Sequence, residues 1–174
     1  MKDLNKFITE ATADELKISL NVNELIEKLQ VALAEEFNQW YMYTIVRPYL
    51  VGHERKHIVE LYDIQAKDEL EDHAYWLMER ISQLGGKPDR VLTPTEWDNT
   101  AAHKYITPDL NFDVVANIKQ NIESEKGAIE TYSELVAFTE NRDPVTNAKM
   151  KEILADEQEH LQDLEDYLAD LGKK

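Results

Sequence analysis

The sequence predicts an all-α protein, an antiparallel four-helix bundle with one long crossover between helices two and three. Only five Gly and five Pro occur in 174 residues, and long segments without either residue favour helices. Four of these segments repeat apolar residues at alternating spacings of three and four, the period of a helix with one buried face. The connections between them are short, long and short, which is typical of a bundle with a single crossover.

The composition argues against several classes of protein. The chain has no Cys, so it offers no disulfide framework, Cys-based zinc or iron–sulfur site, or thiol nucleophile. No segment approaches the roughly 18 apolar residues that a membrane span needs, and no signal-like segment opens the chain. We therefore predict a soluble, cytoplasmic protein without a membrane partner. The net charge of -16 repels phosphate and argues against direct DNA binding.

The first helix follows an N-terminal arm. Residues 1–22 carry scattered apolar positions without a long stripe, so we assign residues 23–172 to the bundle domain. Asn23 is the predicted N-cap, and the helix should end near Arg47 because Pro48 has no backbone N–H. Glu36 interrupts the apolar stripe near its middle.

The second helix is predicted from about Lys56 to Leu84, where the following glycine pair, Gly85 and Gly86, indicates a C-terminus. Two ionisable residues interrupt its stripe, Glu69 and His73. The segment 87–111 contains three prolines and no long apolar period. It is therefore the predicted crossover, long enough to run the length of a bundle.

The third and fourth helices repeat this arrangement. The third is predicted from Asp113 to about Glu140, and Glu125 interrupts its stripe. A short turn over residues 141–144 leads to the fourth helix, which should extend to residue 171. Glu157 and His160 occupy its stripe, one turn apart.

Together, the four stripes contribute four carboxylates and two imidazoles to the predicted core: Glu36, Glu69, His73, Glu125, Glu157 and His160. Burying unpaired carboxylates costs several kcal/mol each, so something must compensate their charge. Four carboxylates and two imidazoles form the ligand set of a dinuclear site in a helix bundle, and they nearly offset two divalent cations. Oxygen-rich ligands with a few imidazoles favour iron or manganese.

Each position also has a structural interpretation without a metal. Glu36 lies beside Glu35, and a shift of the helix by one position would expose it. Glu69 lies within an acidic run that is typical of a solvated face. A lone buried histidine is more often a hydrogen-bonded bundle residue than a ligand. The joint interruption of all four stripes favours the metal site.

Four passages resemble a known family in combination. They are residues 34–37 with the aromatic run 40–45, residues 69–86, residues 123–135 and residues 152–167. Over about residues 23–171 the chain resembles the ferritin-like di-iron carboxylate superfamily, most closely its Dps-like and bacterioferritin-like proteins. This resemblance implies a ligand role for each of the six residues. The terminal carboxylates would be Glu36 and Glu125, the bridging ones Glu69 and Glu157, and the terminal imidazoles His73 and His160.

The resemblance further implies a ferroxidase that stores iron. Two iron ions per chain, with manganese as the alternative metal, would bind at this site. Oxygen or hydrogen peroxide would oxidise Fe(II), and Fe(III) would form a mineral inside a homo-oligomeric shell. The chain ends soon after the fourth helix, which favours 12 subunits over 24 in this family. No Met follows Glu69, so no haem is expected. The alternative is a non-storage peroxidase or catalase with two metals, similar to rubrerythrin or manganese catalase.

Two departures from the family pattern concern the site. The second helix has Glu-x-x-x-His instead of Glu-x-x-His, with Leu70 at the usual carboxylate position. A π-bulge, which occurs in helices of this family, would absorb the extra residue. Thioferritin-type members carry a cysteine pair near the site, and here Gly127 and Val136 stand at about those positions.

Overall fold

A computed structural model of the chain describes Leu16, residues 18–88 and residues 113–172. Its helices are α1 (Val22–Val46), α2 (three consecutive parts, Arg55–Lys67, Asp68–Ala74 and Tyr75–Gln83), α3 (Val114–Thr139) and α4 (Pro144–Leu171). The predicted all-α four-helix bundle is confirmed. Most of the predicted N-terminal arm and of the crossover over residues 87–111 lies outside the described residues.

Contacts at the helix ends establish the direction of α2, α3 and α4. The guanidinium group of Arg80, in the last turn of α2, donates to Asp143 at 2.8 Å just before α4 begins. These two helices are therefore antiparallel. Tyr62 in the first half of α2 donates to Asn117 near the start of α3 at 2.7 Å. Because α2 and α3 run parallel, a long crossover must connect them.

The start of α1 differs from the prediction. The side-chain oxygen of Asn21 accepts hydrogen bonds from the backbone N–H groups of Asn23 at 3.1 Å and Glu24 at 3.3 Å. Asn21 is therefore the N-cap, and the prediction of Asn23 is wrong. The earlier start makes Val22 the first helical residue and buries it in the core. Both asparagines can cap a helix, so the sequence pattern alone did not separate them.

The end of α2 agrees with the predicted glycine signal. Gly85 has a φ of 84°, a left-handed conformation that favours glycine. The N–H of Gly86 donates to the carbonyl of Ile81 at 2.9 Å, and the N–H of Gly85 donates to that of Ser82 at 3.0 Å. This pair of bonds is a Schellman motif, which satisfies carbonyls left free at the helix end.

The core consists of two apolar clusters at opposite ends of the bundle. One cluster contains Ile18, Val22, Leu25, Leu29, Ala32, Leu33, Ala74, Leu77, Ile81, Leu84, Ala128, Tyr132, Leu135, Met150 and Ile153. The other contains Tyr43, Val46, Leu50, Ile58, Tyr62, Ala66, Ile118, Ile122 and Leu164. Along each helix, the residues that interrupt the apolar stripe fall between these clusters. Among the described helices, none is long and apolar enough to cross a membrane.

Candidate metal centre

A π-helical segment in α2 presents the two ionisable residues of that helix. The segment covers the seven residues Asp68–Ala74. Its hydrogen bonds join residues five apart, which widens the turn by about one residue compared with an α-helix. Glu69 and His73 consequently share the inward face, and the Nδ1 atom of His73 lies 3.1 Å from Oε2 of Glu69. The π-bulge expected from the Glu-x-x-x-His spacing is confirmed.

The structure brings all six predicted ligand residues together in the middle of the bundle. The side chains of five are fully buried, and His160 is 5% exposed. Their potential ligand atoms form two overlapping groups, each with its atoms within 4.8 Å of one another: Glu36, Glu69, His73 and Glu157 in one, and Glu69, Glu125, Glu157 and His160 in the other. Glu69 and Glu157 belong to both groups. We call this cluster the six-residue centre.

The Nδ1 atoms of the two histidines lie against the shared carboxylates. Nδ1 of His73 is 3.3 Å from Glu157 and 3.2 Å from Glu36. Nδ1 of His160 is 3.2 Å from Glu69 and 3.6 Å from Glu157. Four of the buried atoms, however, have no partner in hydrogen-bond geometry: Oε1 of Glu69, both oxygens of Glu157, and Nδ1 of His160. Buried carboxylate oxygens and imidazole nitrogens without hydrogen-bond partners are suitable ligands for a cation.

Protons partly balance the charge of the carboxylates in the centre. Burial, reinforced by the Glu69 and Glu157 carboxylates, raises the pKa values of Glu36 and Glu125 well above the usual range. Burial alone would lower the pKa of His160, but the adjacent Glu157 and Glu69 carboxylates raise it to about 12. The imidazole is therefore protonated near neutral pH. A cation that binds here must displace protons.

Two tyrosine hydroxyl groups donate hydrogen bonds to Glu36 and Glu125. We call these two residues the outer carboxylates, because each belongs to only one ligand group. Tyr132 of α3 donates to Glu36 of α1, and Tyr43 of α1 donates to Glu125 of α3. These reciprocal contacts also show that α1 and α3 are antiparallel. Gln39 donates to the second oxygen of Glu125 at 2.9 Å. Both tyrosines are fully buried. Their identical seven-residue spacing from the preceding glutamate was the signal for these contacts.

A second set of carboxylates lies on the outer side of the imidazoles. Nε2 of His73 makes a 3.3 Å hydrogen bond with Asp156, and Nε2 of His160 lies 3.7 Å from Asp68. Such contacts orient an imidazole and hold its proton on Nε2, so that Nδ1 can bind a metal once its own proton is displaced. Sequence reasoning did not identify these acids. Each directly precedes a shared glutamate, Asp68 before Glu69 and Asp156 before Glu157, which was the available signal.

Comparison with protein families supports the same fold. The family model for the ferritin-like domain matches residues 26–173. This range includes α1 from Ile26 onward, the whole of α2, α3 and α4, and the residues of the six-residue centre from Glu36 to His160. The chain belongs to the ferritin-like family. The predicted resemblance is confirmed.

Several relatives within the ferritin-like family resemble the chain over most of its length. The "DNA protection during starvation protein" of Pyrococcus furiosus is 29% identical over 160 residues, which are 92% of this chain and 82% of the relative. The dodecameric thioferritin of Bacteroides fragilis, a bacterioferritin-related protein, is 37% identical with a TM-score of 0.82. That match covers 92% of this chain and 95% of the relative.

A third ferritin-like relative is a solved diiron-carboxylate protein from Bacillus anthracis. It is 26% identical, with a TM-score of 0.73, over 87% of this chain and 99% of its own. These relatives include Dps-like and bacterioferritin-related proteins, which are the members that the sequence predicted this chain to resemble. The present chain contains no cysteine, so it has no thiol near the six-residue centre.

Proposed function

We propose that the protein is a Dps-like ferroxidase and iron-storage protein. It binds Fe(II) at the six-residue centre, passes the electrons of Fe(II) to hydrogen peroxide or oxygen, and stores Fe(III) as a mineral inside a shell of identical subunits. The observation that carries this proposal is the pair of overlapping buried ligand groups that share Glu69 and Glu157. Two adjacent cation positions with shared carboxylates suit the oxidation of two Fe(II) by one two-electron oxidant.

The donor atoms suit iron. Each group offers three carboxylates and one imidazole and no sulfur, a set that favours iron or manganese over thiophilic metals. We propose two iron ions per chain, with Glu69 and Glu157 bridging them. The terminal ligands would be Glu36 with His73 and Glu125 with His160. Bound iron supplies the electrons.

The surrounding residues keep these ligands in place. The Tyr43 and Tyr132 hydroxyl groups each occupy one oxygen of an outer carboxylate, which restricts its rotation. Burial raises the pKa values of both phenols well above the usual range, so each remains a hydrogen-bond donor at neutral pH. Protons displaced from Glu36 and Glu125 are available for the reduction of peroxide to water, which consumes two protons for every two electrons.

The relatives support storage in an assembly over the alternative. The Bacteroides fragilis relative is described as dodecameric, and we extend a 12-subunit shell to this chain. The non-storage peroxidase or catalase is not favoured by these relatives. We also propose a cytoplasmic location. We propose no direct DNA binding, because a chain with a net charge of -16 repels the DNA backbone.

Anaerobic Fe(II) titration followed by oxidant tests the proposal. Two Fe(II) per chain should bind, and peroxide or air should then produce ferric absorbance and an increase in particle mass as mineral accumulates. Glu157→Ala should slow the oxidation strongly, whereas Glu159→Ala, an exposed glutamate on the same helix, should not.

Two results would contradict the proposal. If Glu157→Ala oxidised Fe(II) as fast as the parent, the six-residue centre would not be the ferroxidase site. Repeated turnover of peroxide by a small oligomer without mineral growth would instead support a di-metal peroxidase or catalase.

A further inference from the structure

The two outer carboxylates are held differently, and Gln39 accounts for the difference. Glu125 accepts two hydrogen bonds from α1: the Tyr43 hydroxyl donates to its Oε1 atom, and the Gln39 amide donates to its Oε2 atom at 2.9 Å. The Gln39 side chain is buried, where a hydrogen bond is stronger than in water. Both oxygens of Glu125 are therefore held by neutral donors that belong to neither ligand group.

The contacts of Glu36 include no counterpart of the Gln39 bond in the described part of the chain. Tyr132 donates to the Oε1 atom of Glu36, which matches the bond from Tyr43 to Glu125. The Oε2 atom of Glu36 instead lies 3.2 Å from Nδ1 of His73. Because His73 belongs to the same ligand group as Glu36, a cation bound between the two residues would replace this contact.

The difference arises at one position of the two helices. Gln39 and Tyr43 lie three and seven residues after the glutamate of α1, on one face of that helix. In α3 a tyrosine again lies seven residues after Glu125, but the residue three positions after it is Ala128. Ala128 is buried and has no side-chain donor. It therefore cannot donate to Glu36 as Gln39 donates to Glu125.

Two hydrogen bonds leave Glu125 able to bind a cation. Each carboxylate oxygen has two lone pairs, so it can accept a hydrogen bond and coordinate a cation at the same time. The two donors prevent rotation of the carboxylate, and a ligand that is already oriented binds at a lower entropic cost. Hydrogen bonds that orient a metal ligand typically contribute about 10–100-fold to metal affinity. The Gln39 bond therefore favours the cation position that contains Glu125.

We propose that Gln39 is a positioning residue that makes the two cation positions of the six-residue centre unequal. The position of Glu125 and His160 binds the first Fe(II), and the position of Glu36 and His73 binds the second. Gln39 acts through the orientation of Glu125 and is not itself a ligand. The inference rests on the proposed function, because it assigns an order to the two Fe(II) ions proposed there.

Anaerobic calorimetry with Fe(II) tests the proposal in variants that each retain one cation position. Glu36→Gln retains the position of Glu125 and His160, and Glu125→Gln retains the position of Glu36 and His73. The ion retained in Glu36→Gln should bind about tenfold more tightly than the ion retained in Glu125→Gln. Addition of Gln39→Leu should weaken the former ion by about 10–100-fold and leave the latter unchanged.

Two further variants serve as controls. Gln158→Leu makes the same change at an exposed glutamine beside Glu157 and should leave the affinities of both ions unchanged. Gln39→Ala removes the same amide with a smaller side chain and should reproduce the selective loss. Helical circular dichroism and urea unfolding show whether each variant folds. A role of Gln39 in packing alone would weaken both ions equally, and that result would overturn the proposal.

Failure of this inference is distinguishable from failure of the proposed function. If the parent chain bound two Fe(II) and neither Gln39 variant changed the affinity of the ion beside Glu125, only the positioning role of Gln39 would be overturned. Equal affinities of the ions retained in Glu36→Gln and Glu125→Gln would overturn the order of binding. A parent chain that bound fewer than two Fe(II) would contradict the proposed function, and this inference with it.

Discussion

The shared position of Glu157 leads to a quantitative contrast between two glutamate variants. Glu157 contributes to both ligand groups, whereas Glu36 contributes to one. Glu157→Gln should therefore weaken both bound Fe(II) ions. Glu36→Gln should weaken one ion and leave the other, in the group that contains Glu125 and His160, close to its parent affinity.

The magnitude follows from Coulomb's law. Unit charges about 4 Å apart interact by about 4 kcal/mol at an effective dielectric constant near 20, and a divalent ion doubles this value. The ligand atoms of each group lie within 4.8 Å of one another, so a cation bound among them lies within about 4 Å of each carboxylate charge. Removing a buried carboxylate also relieves its desolvation cost, and glutamine retains one oxygen ligand, so we take about half of the total. The remaining 4 kcal/mol or so corresponds to about 1,000-fold in affinity for each affected ion.

Anaerobic isothermal titration calorimetry with Fe(II) measures the contrast, because it gives both the number of ions and their affinities. Glu159→Gln, an exposed glutamate two residues from Glu157, is the control for the change in net charge. The reasoning would be refuted if Glu157→Gln and Glu36→Gln each lost a single ion and kept the other at parent affinity. That result would mean that Glu157 binds one cation only.

Three further predictions concern protons and packing. Fe(II) binding should release protons into a weak buffer and should tighten as the pH rises, because burial raises the pKa values of Glu36 and Glu125 and a cation must displace their protons. An affinity independent of pH would contradict this. Gly86→Ala should lower the free energy of unfolding, measured in urea, by about 1–3 kcal/mol, because the new Cβ would lie 2.9 Å from Cγ2 of Ile81. Gly172→Ala is the control and should cost less, because its new Cβ meets no atom within 3.4 Å. Asp143→Asn should cost about 3 kcal/mol at neutral pH by leaving the buried Arg80 unpaired. Despite burial, hydrogen bonds from Thr146 and from Arg80 lower the pKa of Asp143. The contribution of Asp143 to the free energy of unfolding is therefore complete above the unfolded pKa of about 3.9 and is lost as the pH falls through the folded pKa. The variant should consequently lose less stability in acid than the parent.

The helices and the positions of the ligand candidates could be predicted because each depends on one helix at a time. An apolar stripe records which face of a helix is buried, and Glu36 or Glu125 in such a stripe must then be buried too. Proline at position 48 and glycine at positions 85 and 86 mark helix ends through local backbone chemistry. These signals need no knowledge of the neighbouring helices.

The contacts around the ligands could not be predicted in the same way. Whether the Tyr132 hydroxyl meets Glu36 depends on how α1 and α3 are rotated and shifted against each other, which the period of a single helix does not specify. The contact of Asp156 with His73 likewise crosses from α4 to α2.

The π-helical segment of α2 has a consequence for how proteins of this kind are recognised. An extra residue in an α-helix rotates everything beyond it by about 100°, which would turn one half of α2 away from the bundle. Here the widened turn confines the insertion to Asp68–Ala74, and the helix on both sides keeps its inward face. The π-helical turn therefore accommodates one additional residue while Glu69 and His73 keep the inward face. Searches that require a fixed Glu-x-x-His pattern will miss chains that carry the same centre.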